Sequence, residues 1–85
     1  MTTPSPASTS PAEDILDARG LICPLPVLRA QRKLRSMQSG SVLQVLTTDP
    51  ASVNDFPEFC TQSGYVLLEQ SQQEDGFLFR IRKEV

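Results

Sequence analysis

Of the side chains able to act as strong nucleophiles or soft ligands the chain has only two, Cys23 and Cys60, and it contains no histidine. Without an imidazole there is no Ser-His or Cys-His pair, and a zinc site would have to be built from two thiols and carboxylates. Metal-assisted and triad hydrolysis are excluded on this ground, and neither a metal nor a cofactor is expected. Cys23 opens the segment Cys23-Pro24-Leu25-Pro26. Proline is favoured at the first position of a helix, where its missing N–H would lack a partner and its φ is already helical, so Pro24 predicts Cys23 at the N-cap. Open N–H groups and the positive end of the helix dipole stabilise an anion there, which predicts a thiol pulled below its usual pKa of ~8.5. Pro26 takes a further N–H out of the same first turn and stiffens the junction. Cys23 is thus the candidate nucleophile, with Pro24 and Pro26 positioning it.

A cysteine beside one proline would say little, since Cys is a common small apolar residue; the double proline after Gly20-Leu21-Ile22 singles Cys23 out. Leu21, Ile22 and Leu25 surround it with apolar surface and Arg29 follows in the next turn, which makes these four the candidate partner-binding residues. Arg29, Arg32, Lys33 and Arg35 form a basic run whose plainer reading is a solvated face complementing the helix C-terminus. Cys60 lies beside Phe56 on an apolar helical face, at least one turn inside its helix. It is expected in the core, too deep for a disulfide to Cys23.

The elements that must position Cys23 follow from periodicity. Asp14 to Asp17 suits a brief strand before a turn at Arg19-Gly20. From Pro24 to Gln38 the apolar residues Val27, Ala30, Leu34 and Met37 recur at helical spacing. Gly40 follows as a stop, and Ser41 to Thr48 is rich in strand formers. A second helix carries Val53, Phe56, Phe59 and Cys60 on one face as far as Gly64; Pro57 leaves a start at Ser52, which we favour, or at Asp55 with Glu58 completing a capping box. Asp49, Asp55 and Glu58 are expected to cap this helix or complement its dipole, without a catalytic part. Tyr65 to Gln70 and Phe77 to Lys83 form a hairpin around Gln72 to Gly76. The order βαβαββ predicts a two-layer α/β sandwich: a four-stranded mixed sheet with both helices on one face, because right-handed crossovers place them there.

Eighty-five residues, 39% of them hydrophobic, suffice for one small domain. Met1 to Ala12 is rich in Pro, Ser and Thr and uncharged, and is expected to be a disordered tail before a domain at 13–85. No apolar run approaches the ~18 residues of a membrane span. Eight basic against ten acidic side chains give a net charge of −2, which argues against direct nucleic-acid binding by broad phosphate neutralisation. The N-terminus lacks the basic start and apolar stretch of a signal peptide, and two distant cysteines do not make a disulfide framework. A cytoplasmic monomer is therefore expected.

Leu16-Asp17-x-x-Gly20-Leu21-x-Cys23-Pro24-x-Pro26-Val27, then Asp49-Pro50-Ala51, Asp55-x-Pro57-x-Phe59-Cys60 and Ile81-Arg82-Lys83, resemble the TusA/SirA family of small sulfur-carrier proteins. The resemblance spans nearly all of residues 14 to 85. It implies a βαβαββ sandwich like the C-terminal domain of translation initiation factor 3, in which the motif cysteine, here Cys23 alone, accepts sulfane sulfur as a persulfide and passes it on. It also implies a sulfurtransferase-type carrier rather than a free-standing catalyst. The implied partners are a sulfur donor of the cysteine desulfurase or rhodanese type and a thiolating or sulfur-oxidising acceptor. Carriers dedicated to tRNA wobble-uridine thiolation usually have an acidic residue where this chain has Leu25, so sulfur oxidation and thiosulfate use are equal candidates. The competing reading is a non-catalytic protein-protein interaction module with Cys23 as a helix cap; a thiol redox protein is disfavoured because no second cysteine lies close in the sequence.

Overall fold

The computed structural model describes residues 13–84; the tail expected at 1–12 lies outside the described residues. Six elements follow one another: β1 (Glu13–Ala18), α1 (Leu25–Arg35), β2 (Val42–Thr47), α2 (Ser52–Ser63), β3 (Val66–Gln73) and β4 (Gly76–Arg82). They form one four-stranded sheet in the order β1-β2-β4-β3, with β1 parallel to β2 and β4 antiparallel to both of its neighbours. The expected βαβαββ sandwich and mixed sheet are what the chain adopts. The final strand is inserted between β2 and β3, an order the linear pattern did not specify. Among the described residues no helix is long and apolar enough to cross a membrane.

Alternation along the strands decides which face is covered. Leu43, Val45, Phe79 and Ile81 are fully buried and, with Ala18, meet Ala30 and Leu34 of α1 and Phe56 and Cys60 of α2 in one core. Phe56 stacks on Phe79 with ring centroids 4.6 Å apart, an offset packing that adds to plain area burial. Both helices therefore share one face of the sheet. On the other face the strands align a polar row: Arg80 of β4 pairs with Glu13 of β1 at 2.9 Å and with Glu69 of β3 at 3.5 Å, while Gln44 of β2 donates to Glu13.

α1 is shorter than the expected Pro24 to Gln38. Its last carbonyls turn to other donors: Ser36 N–H bonds Lys33 O, Met37 N–H bonds Leu34 O, and Lys83 Nζ donates to Arg35 O at 3.3 Å, besides Met37 O just past the helix at 2.7 Å. A cation from the end of the chain thus satisfies groups that an extra turn would have used. α2 takes the earlier of its two starts, at Ser52, so Pro57 lies inside the helix. Proline cannot donate to the carbonyl four residues back, and that carbonyl, Val53 O, accepts Gln70 Nε2 from β3 at 3.3 Å instead.

The hairpin is tighter than the expected Gln72 to Gly76 turn. Gln73 pairs with Gly76 across Glu74-Asp75 alone, so the polar glutamines are strand residues. Gly76 has φ +152, and a Cβ there would stand 2.1 Å from the backbone oxygen of Thr47, so only glycine fits this close approach.

Candidate functional site

Cys23 stands exposed on the loop that carries the chain from β1 to α1, at the edge of the sheet where β2 also ends. That loop is fastened at both ends. Asp17 at the end of β1 grips Arg19 through both carboxylate oxygens, 2.9 Å each, and the guanidinium pulls Asp17 down to a pKa of about 2. Gly20 N–H donates to Thr48 Oγ1 at 2.9 Å, and Leu21 N–H bonds back to Ala18 O. The tightest link is at the cysteine itself, whose N–H donates to Asp49 Oδ2 at 2.6 Å. Asp49 Oδ1 accepts from Ala51 N–H at 3.1 Å, so one carboxylate joins the nucleophile loop to the start of α2. This agrees with the strength of charge-assisted bonds to backbone N–H.

Two expectations about Cys23 are overturned. The N-cap of α1 is Pro24 and the proline within the first turn is Pro26, so Cys23 sits one residue outside the cap; its backbone is held by Asp49 instead. The reading of Cys23 as a helix cap fails with it. Nor is the thiol depressed: its pKa is raised, first because its proton is hydrogen-bonded to the Asp55 carboxylate, then by partial desolvation and by the negative charges of Asp55 and Asp49. A carboxylate binds the S–H form and repels the thiolate, which opposes the helix dipole that the sequence pattern put foremost.

The sulfur opens on a groove of about 410 Å³ between the two helices. Pro24, Val27 and Gln31 form one wall and Asp55, Glu58, Phe59 and Gln62 of α2 the other. Of the residues chosen from sequence, Pro24 lines the groove, whereas Pro26 is buried beneath α1 and anchors its first turn in the core. Ile22 and Leu25 are exposed at 70% and 43%, and Leu28, not picked out by sequence, extends their apolar patch at 50%. Leu21 is half-buried against the core. Arg29 is not in the groove; with Leu16, Arg32, Lys33 and Ser36 it lines a separate hollow on the β1 side of α1, where Lys33 pairs with Asp14 at 3.3 Å.

Cys60 is buried as expected, 4% exposed, and its thiol is pushed up to about 11 by burial. Neither cysteine is bonded to the other. The residues that sequence reasoning undervalued are Asp49 and Asp55. Their signal is present in Asp49-Pro50-Ala51 and Asp55-x-Pro57, acidic groups around a helix start at the same sheet edge as Cys23, but along the chain it points only to capping that helix or complementing its dipole.

A single exposed thiol, anchored through its backbone at the edge of a βαβαββ sandwich, is thus set over a shallow interhelical groove. A family model described as sulfurtransferase TusA matches residues 14–83. A protein of Allochromatium vinosum named sulfur carrier protein TusA is 52% identical over 68 residues, covering 80% of this chain and 90% of its own. One of the same name from Pseudomonas paraeruginosa is 42% identical over 76 residues, covering 89% and 96%. The crystal structure of a SirA-like protein from Desulfitobacterium hafniense superposes with a TM-score of 0.68 at 27% identity, covering 81% of this chain and 93% of its own. The chain belongs to the TusA family.

Proposed function

We propose that this protein is a sulfur carrier that receives sulfane sulfur on Cys23 as a persulfide and relays it from a donor protein to an acceptor protein. The observation that carries the reading is the contrast between two thiols in one chain, Cys23 exposed on a clamped loop and Cys60 sealed in the core. The names of the relatives, sulfur carrier protein TusA, point the same way.

In the transfer step Cys23 gives up its thiol proton and its sulfur attacks the terminal sulfur of the donor's persulfide. One S–S bond forms at Cys23, the donor's S–S bond breaks, and the bonding pair leaves on the donor's thiolate, which takes up a proton. No external oxidant or reductant enters, because the sulfane sulfur arrives already oxidised. Onward transfer repeats the exchange with Cys23 as the leaving thiolate. Ile22, Leu25 and Leu28 give partners an apolar edge beside the reacting sulfur. Pro24 borders the sulfur, and Pro26 fixes the turn beneath it. Arg29 and its basic neighbours serve a second contact strip rather than the groove. Donor and acceptor are proteins met in the reducing cytoplasm, where both thiols remain free.

The test is the intact mass of the protein after incubation with inorganic polysulfide and removal of excess reagent. Wild type and Cys60→Ser gain the mass of sulfur, reversibly with dithiothreitol, and Cys23→Ser gains none. Stable sulfur on Cys23→Ser overturns the assignment.

A further inference from the structure

The groove beside Cys23 is one-sided in charge. Asp55 and Glu58 face it from α2, Asp49 holds the Cys23 amide from the β2–α2 turn, and α1 contributes the uncharged Val27 and Gln31. No cation lines it. Arg19, on the cysteine's own loop, is committed to Asp17, and Arg29, Arg32 and Lys33 of α1 lie around the other hollow, where Lys33 pairs with Asp14. This is the reverse of what a permanently activated thiol needs, since a thiolate is made reactive by nearby positive charge. Of these carboxylates, Asp49 already accepts from two backbone N–H groups, and it is Asp55 that accepts from the thiol S–H.

We propose that Asp55 gates Cys23: its carboxylate shares with the sulfur the groove between α1 and α2, and a partner activates the sulfur by placing a cationic side chain in that groove. The inference deepens the sulfur-carrier reading and rests on it for its purpose, because a carrier must cross the cytoplasm without losing its thiol to oxidants and electrophiles. It specifies the partner's chemistry. A lysine or arginine seated between Asp55 and Glu58 cancels the repulsion, and the docked partner excludes water from the groove, which strengthens the ion pair. Only the S–H bond breaks in the gating step, with its proton passing to water, so no redox change accompanies it. Asp55 is a positioning residue in this scheme, acting through Cys23.

The experiment is the rate of carbamidomethylation of Cys23 by iodoacetamide in the full-length protein, followed across pH by mass spectrometry, for wild type and Asp55→Asn. Expected is a lower pH midpoint in the variant and a neutral-pH rate that rises about three- to fourfold for each unit by which the midpoint falls, the tenfold gain in thiolate being partly offset by its lower nucleophilicity. Trilysine peptide accelerates the wild type more than the variant, which keeps only Asp49 and Glu58, and sodium chloride does the same by screening. The wild-type response to trilysine needs no variant and stands even if Asp55→Asn folds poorly. An unchanged midpoint in a folded Asp55→Asn, or wild-type rates indifferent to both trilysine and salt, overturns the gate. Sulfur loading is read separately by mass, so a protein that shows the gate yet takes up no sulfur refutes the carrier reading and not the role of Asp55.

Discussion

Replacing Asp49 by alanine tests how the fold holds its nucleophile. Its two oxygens accept from Cys23 N–H at 2.6 Å and from Ala51 N–H at 3.1 Å, so the substitution leaves both donors to water or to nothing. Bonds to a charged acceptor contribute about 1.5–3 kcal/mol each; the Cys23 bond lies at the surface and the other is only partly buried, so the lower end applies and the sum is about 3 kcal/mol. A domain of this size has roughly 4–10 kcal/mol of stability in all. The loss is large enough to lower Tm by roughly 12–24 °C while leaving the protein folded at room temperature. Asp49→Asn keeps one acceptor and turns an N–H toward the other donor, so about half of the stability loss should remain. Circular dichroism melts give the global figure. Hydrogen exchange gives the local one, because the Cys23 and Ala51 amides should lose protection while core amides of β2 change only with global stability. Melting within about 2 °C of wild type, with the Cys23 amide still protected, refutes the clamp.

Gly76→Ala should destabilise by about 2–3 kcal/mol, because the new Cβ meets the Thr47 backbone oxygen at 2.1 Å and φ is +152; a urea titration with unchanged midpoint contradicts the tight hairpin. Burial raises the Cys60 thiol from its ordinary 9.0 to about 11, so the unfolded chain ionises first as pH climbs: stability from this group is complete below pH 9.0, falls as pH rises through that interval and is exhausted above about 11. Cys60→Ala should flatten that alkaline decline, and urea midpoints across the range measure it. Leu25→Glu should leave Tm nearly unchanged, since the side chain is 43% exposed, but weaken binding to a sulfur-donor protein by turning an apolar edge into a charge that must be desolvated; equal affinity by titration calorimetry removes the apolar edge from the recognition surface.

What could be read from the sequence was whatever depends on neighbours along the chain. Helical spacing in Val27, Ala30 and Leu34, the run of strand formers before Asp49 and the double proline after Cys23 all report local geometry, and they led to the sandwich and to the candidate nucleophile. The remainder depends on contacts that close only when the sheet forms. Asp49 and Cys23 are 26 residues apart and meet because β1 and β2 pair in parallel and end at the same edge. Gln70 reaches the carbonyl freed by Pro57 because β3 runs beside α2. The charge around the thiol was misjudged for the same reason. A local pattern exposes the helix dipole, whereas Asp55 arrives from another element and acts in the opposite sense.

The central claim is that sulfur rides on Cys23 and leaves it again. The most direct measurement loads the wild-type protein with radiolabelled sulfane sulfur, isolates it from the donor and exposes it to an excess of acceptor thiol, following label and intact mass together. The account predicts one sulfur per loaded Cys23, complete transfer of label to the acceptor, return of the protein to its starting mass, and no label on Cys23→Ser. Label that stays on the protein in the presence of the thiol, or that resides on Cys60, contradicts it.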